Sequence, residues 1–472
     1  MVVDRATLAR PPDRLGDALL GTRSATAARV STAVVTSVWL LLLVSVQPWS
    51  RASIGSSGQS SNASKGVLVA GCLLLAIVCA RGAIRGRVPA LWWYLLVYAG
   101  LAVASTMLIG GTLSVGTRVV RLLIFLVIPL CLWSHLRDSR TRIITAMFLS
   151  YLVFGVTTIL GPVLLPDRAW QNGTPFSAGG RLVGPLLPML PTRIGEIGAV
   201  LAGFAVLHWA FRRVRPLPAG TVALLGLALL VLSRTRTATG ALGLGLLIAA
   251  VATLRSDGGR RLRRCLVWAI VAALPAVPLI LAWVKRGQST DQLSSLTGRT
   301  VAWNYIIHLP VDTTTLLLGR GLGHTSVFIR RPDNTLSLAP IDSSWITLYY
   351  ESGLIGLGLV AAAFLTTLVM AFRARTPFVR ACCVFLMTYL AIDGASETGL
   401  SDASPLLLML MVVALASYAD RRRPAAVSGG VAPCRSRFPN PARERQSSAS
   451  HAGSGRTKPV KRRVAPGRSV AS

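Results

Sequence analysis

The strongest constraint on this chain is a ladder of apolar runs, each close to the roughly twenty residues a helix needs to cross a bilayer. The runs fall near residues 30–46, 66–80, 88–109, 116–134, 142–165, 194–211, 217–233, 237–254, 264–284, 353–372, 378–395 and 402–419. The chain is 52% hydrophobic and 14% charged, against roughly 25% charged in ordinary soluble domains. The pattern predicts an all-α polytopic membrane protein of about twelve transmembrane helices.

Positive charge gives the ladder a direction, because Lys and Arg accumulate in short loops on the cytoplasmic side. With the first residues inside, the cytoplasmic connections carry Arg81, Arg85 and Arg87, then Arg137, Arg140 and Arg142, then Arg212, Arg213 and Arg215. Arg255, Arg260, Arg261, Arg263 and Arg264 follow, and finally Arg373, Arg375 and Arg380. Together with a leader over 1–29 and a Ser, Arg and Pro-rich tail over 421–472, that side holds 35 of the 50 basic residues. The formal charge of +33 is then a consequence of topology, and it indicates no nucleic-acid partner. The tail has too little apolar content to fold and suits anionic lipid headgroups. The expected organisation is a cytoplasmic leader (1–29), a transmembrane domain (30–420) with an outer loop over 285–352, and a disordered basic cytoplasmic tail (421–472). The first run follows a long polar leader, so it is expected to be retained as a span rather than cleaved as a signal peptide.

The fifteen basic residues on the other side are not required by topology. Several sit at or just inside a membrane boundary, where a positive charge is costly unless it meets an anion or water. Arg234 and Arg236 lie in the tight turn Ser233-Arg234-Thr235-Arg236-Thr237 between two Leu-rich runs. Either they snorkel to water, or their planar guanidinium groups clamp phosphate oxygens at the start of the next helix. Arg118 and Arg121, one turn apart, carry the same two readings. Arg181 lies in a Gly and Pro-rich connection, and Arg193 is placed to pair with Glu196 three residues on.

The outer loop is the longest polar interval. Gly298-Arg299 precedes Trp303, Ile306, Ile307 and the helix-ending Pro310, which predicts a short helix lying in the membrane interface. Gly319, Gly321 and Gly323 around Arg320 permit a tight backbone close to a ligand or another helix. Asp342 precedes the run that leads through Glu351 to Gly353. It is suited to capping that helix, and equally to acting as a general base for a hydroxyl nucleophile. His308 and His324 have no metal-ligand spacing and are read as structural. The seven cysteines lie outside this interval, so neither a disulfide framework nor a metal site is indicated.

Gly298-Arg299…Trp303, Leu318-Gly319-Arg320-Gly321-Leu322-Gly323 and Asp342-Ser343-Ser344-Trp345…Glu351-Ser352-Gly353-Leu354-Ile355-Gly356 together resemble the O-antigen ligase and O-antigen polymerase superfamily. The Ser233 to Ala238 turn and Arg181-Leu182-Val183-Gly184 are similar to two further motifs of that family. The resemblance implies a glycosyltransferase of the C-type fold in the plasma (inner) membrane, with both termini cytoplasmic and an extracytoplasmic active site. It implies a polyprenyl-phosphate or pyrophosphate-linked glycan donor, a glycan or glycolipid acceptor, and no cofactor or metal. Carried over, Arg299 and Asp342 are the catalytic candidates. Arg234, Arg236, Arg181, Arg121 and Arg320 are candidates for the donor phosphates, and Trp303, Gly321, Gly323 and Glu351 shape the loop and the acceptor side. Ligases of the family typically place a His-Asn pair where this chain has Asp342-Ser343, and an acidic residue there is more familiar among polymerase-like members.

Overall fold

A computed structural model describes residues 32–47, 62–79, 89–108, 113–133, 140–171, 180–285, 299–324, 326–330 and 336–422. The expected leader and nearly all of the expected tail lie outside the described residues. The chain is helical almost throughout. In order the helices are α1 (Thr32–Ser45), α2 (Asn62–Cys79), α3 (Ala90–Leu108), α4 (Leu113–Cys131) and α5 (Arg140–Leu164). There follow α6 (Pro191–Ala210), α7 (Pro216–Ser233), α8 (Arg236–Ala252) and α9 (Asp257–Ala273), which runs through a 3-10 turn into α10 (Val277–Lys285). Two short helices, α11 (Arg299–Ile307) and α12 (Thr313–Leu318), precede α13 (Ser344–Phe372), α14 (Pro377–Ser396) and α15 (Pro405–Arg422).

Each of the twelve apolar runs overlaps a helix, and among the described residues seven helices are long and apolar enough to cross a membrane. Local chemistry sets their starts. Pro191, Pro216 and Pro377 open α6, α7 and α14, where a missing N–H is harmless. Ser256 caps α9 by accepting from the Gly259 N–H at 3.0 Å, so that helix begins well before the apolar run itself.

The core centres on α6 and α14, in each of which 78% of the apolar window is buried, against 6% for Asp257–Leu279. Gly198 of α6 and Gly226 of α7 face one another so closely that a Cβ on either would press on the other's carbonyl, which lets the two backbones nearly touch. Gly203 and Gly245 likewise make room for the Phe385 ring of α14. The outward faces are apolar, with Trp93, Leu224, Trp268 and Leu365 exposed, as lipid contact requires.

The 285–352 loop differs from expectation in one element. Besides α11 and α12 it forms a hairpin, β3 (Ser326–Arg330) paired antiparallel with β4 (Leu336–Pro340). Val327 and Ile329 of β3 pack with Ala302 and Ile306 of α11 and with Ile341, a small core separate from the main one. Ile306 is buried there and Trp303 half-buried, but Ile307, expected on the same face, is 54% exposed. The period of a nine-residue helix carries it past the seam. A shorter ribbon pairs β1 (Trp170–Gln171) with β2 (Arg181–Leu182).

Candidate functional site

Four of the arginines singled out above gather at one end of the bundle. Arg181 on β2 donates through Nε to the Ser233 carbonyl at 3.1 Å, satisfying one of the open carbonyls that end α7. Arg234 follows as the C-cap of α7, in a left-handed conformation (φ 53°, ψ 42°), and Arg236 is the first residue of α8. The turn is anchored by Thr235, whose hydroxyl donates to the Pro191 carbonyl at 3.1 Å at the start of α6. Arg299 opens α11 above this turn. Arg181 lies within electrostatic reach of Glu397, Arg299, Arg236 and Arg234. Burial lowers its pKa first of all, Glu397 opposes this, and the three like charges lower it further.

Arg299 is held by two carboxylates. Its Nε lies 3.2 Å from Asp342 Oδ2 and its Nη2 lies 3.3 Å from Glu397 Oε1. Those two nitrogens form one edge of the guanidinium, so the opposite end of the fork points away from both acids. Asp342 therefore does not cap α13. The N-cap is Ser343, without a side-chain cap bond, and the Asp342 carboxylate is turned to Arg299 instead. Burial raises the Glu397 pKa, while Arg299 and Arg193 pull it down.

The connection from α14 to α15, residues 397–404, is the floor of this end. Its carbonyls are taken in turn: Glu397 by the Ser344 hydroxyl at 2.7 Å, Thr398 by Arg193 Nη2 at 3.1 Å and Ser401 by the Tyr98 hydroxyl at 2.8 Å. At its far side Asp402 pairs with Arg121 at 2.6 Å. Arg121 is thus neutralised by a carboxylate and stands apart from the Arg181, Arg234 and Arg236 group with which the sequence placed it.

Arg320 is also elsewhere. Its guanidinium lies over the Tyr350 ring, 5.4 Å from the centroid, and its N–H donates to the Tyr350 carbonyl at 3.1 Å. The next amide, Gly321, donates to the Glu351 carbonyl at 2.9 Å. Glu351 is buried, and its Oε1 accepts from the Gly323 and His324 amides at 2.8 and 3.0 Å. Glu351, Gly321 and Gly323 therefore shape this loop together. The buried Trp303 indole N–H has no hydrogen-bond partner among the described residues.

Sequence reading missed three acids, Asp393, Glu397 and Asp402. Glu196 and Asp393 are 2% and 3% exposed inside candidate spans. Glu196 takes the expected Arg193 pair at 2.7 Å and also the Tyr151 hydroxyl at 2.7 Å. Candidate spans α6 and α14 thus carry buried charged side chains near their ends. The available signal was scarcity, since only 17 acidic residues occur and three, Asp393, Glu397 and Asp402, fall within ten positions where the last two apolar runs meet. Among the described residues no group of three potential metal ligands is present.

No protein-family model matches the chain, and no curated protein matches it. Fold and composition define its class, a predominantly helical membrane protein with seven helices suited to spanning among the described residues. At one end of its bundle it holds a cluster of arginines interleaved with carboxylates.

Proposed function

We propose that this chain is an integral-membrane glycosyltransferase that transfers or polymerises glycan from a polyprenyl-phosphate or pyrophosphate-linked donor on the outer face of the plasma membrane. The observation that carries the reading is the meeting of Arg181, Arg234, Arg236 and Arg299 at one end of an otherwise apolar bundle. Four guanidinium groups from four separate elements suit a multiply charged oxyanion, and their planar forks match phosphate oxygens. The resemblance of the surrounding motifs to the O-antigen ligase and polymerase superfamily supports the same chemistry.

In the reaction, an acceptor hydroxyl oxygen bonds to the anomeric carbon from the face opposite the lipid phosphate. The carbon–oxygen bond to that phosphate breaks, and the configuration inverts. The hydroxyl proton passes to the Asp342 carboxylate, while the arginines offset the charge developing on the leaving phosphate. Purified protein carrying Arg299→Ala or Arg236→Ala should lose about a hundredfold or more of its transfer rate from a lipid-linked donor. Full activity in both variants would overturn the reading.

One observation favours a second reading, a flippase for lipid-linked glycans. The buried Arg193, Glu196 and Asp393 are intramembrane charges of the kind transporters use. They lie within the first two turns of α6 and the last turn of α14, however, beside the arginine cluster rather than along a path through the bundle. Reconstituted vesicles that moved the lipid-linked glycan without forming any new glycosidic bond would select this second reading.

A further inference from the structure

We propose that Arg118 and Arg320 form a second phosphate-binding site, separate from the Arg181, Arg234, Arg236 and Arg299 cluster. The two groups flank the 397–402 segment: Glu397 holds Arg299 at one side, and Asp402 holds Arg121, one turn from Arg118 on α4, at the other. Arg118 approaches the glycine loop closely, since its Nη1 would lie 4.0 Å from a Cβ at Gly323. Arg118 and Arg320 both lie within electrostatic reach of His324.

The charges here are not balanced. Among the described residues neither guanidinium has a carboxylate within ion-pair distance. The nearest candidate, Glu351, turns its Oε1 to two backbone amides, and Asp402 is taken by Arg121. Arg320 is pre-oriented rather than loose. The Arg320 guanidinium carbon lies 5.4 Å from the centroid of the Tyr350 ring, a cation–π contact that restrains the side chain. Partial burial lowers the His324 pKa, the Arg320 carbonyl opposes this, and the charges of Arg320 and Arg118 lower it further. Two guanidinium groups from different elements, both half-exposed, are the recognition chemistry of phosphate. The phosphate is carried either by a lipid headgroup or by a free phosphate or pyrophosphate, and the site is independent of whether the chain transfers glycan.

The test uses the full-length protein in zwitterionic nanodiscs, with inorganic pyrophosphate as the probe. Arg118→Gln with Arg320→Gln should weaken one class of binding about tenfold or more, while Arg236→Gln weakens another. Replacing both by lysine should retain most of the affinity, which separates lost charge from lost fold. If the double glutamine variant does not fold, Arg320→Gln alone gives the reading, because that side chain lies at the surface of the loop. Competition by added phosphatidylglycerol in the wild type, absent from the variant, assigns the site to a lipid headgroup. Pyrophosphate loss without that competition assigns it to free phosphate. Unchanged pyrophosphate binding in the arginine-to-glutamine variant would overturn the second site. Unchanged binding in Arg236→Gln would instead count against the proposed function.

Discussion

At the scale of single residues, Arg234 is the most informative position. A left-handed backbone costs a non-glycine residue about 1–2 kcal/mol, and glycine is the usual occupant of such a helix end. An arginine there is the pattern expected where a side chain is kept for binding at the expense of local strain. Arg234→Gly should therefore leave the thermal midpoint of the purified protein unchanged or slightly raised while weakening pyrophosphate binding about tenfold. A variant that melts much earlier, with binding intact, would make Arg234 a structural residue. The arginines were legible in the sequence because a charge between Leu-rich runs is conspicuous. Their acidic partners were not. Arg299 meets Glu397 across 98 positions and Arg121 meets Asp402 across 281, and no local spacing announces such pairs. Asp342 was legible as a polar residue at a helix start, but a cap and an ion pair draw on the same carboxylate, and only the approach of Arg299 decides between them.

At the scale of elements, the apolar runs predicted nearly every long helix, since length and apolarity are the whole requirement for a span. The limits were set by kinks and caps. The run expected from 353 is the second part of α13, which begins at Ser344 and bends at Gly353, where φ is 63° and ψ is −167°. The bend frees the Tyr350 and Glu351 carbonyls, and the amides of Arg320 and Gly321 take them. The two segments interlock: a Cβ at Gly353 would overlap the Leu317 carbonyl, and one at Gly319 would overlap the Glu351 backbone. Of the loop glycines, Gly319 packs against this kink, whereas a Cβ at Gly323 would face Val115 and Arg118. Gly358, five residues beyond the bend, has nothing within 4 Å of its Cβ position. Gly353→Ala should thus destabilise the protein by several times the ~1 kcal/mol scale of an ordinary helix glycine substitution, and raise hydrogen exchange at Arg320 and Gly321. Gly358→Ala should be neutral or stabilising. Equal effects of the two would remove the interlock as the reason for glycine at 353. The hairpin β3–β4 was not anticipated because both of its faces carry apolar side chains, Val327 and Ile329 inward and Phe328 and Leu338 outward, so no simple alternation marks it.

At the scale of the molecule, the two ends of the bundle carry different kinds of charge. At one end Arg380 reaches the Ala374 and Ala252 carbonyls and Asp420 takes the Thr376 amide, next to Arg212, Arg213, Arg215, Arg255 and Arg373. That end is rich in arginine, the bias that marks a cytoplasmic side. At the other end arginines alternate with Asp342, Glu397, Asp402 and Glu351, a balance that topology alone does not demand. Helix ends that contact one another must lie at one membrane face, so the two sets of connections are expected on opposite sides. Single cysteines at Val214→Cys and Thr314→Cys, in a background without the native cysteines, test this with a membrane-impermeant maleimide on intact cells. Thr314→Cys should react from outside and Val214→Cys only after permeabilisation. The reverse pattern would place the arginine cluster in the cytoplasm and exclude an outer-face donor. Labelling of both from outside would break the antiparallel ladder from which the orientation is inferred.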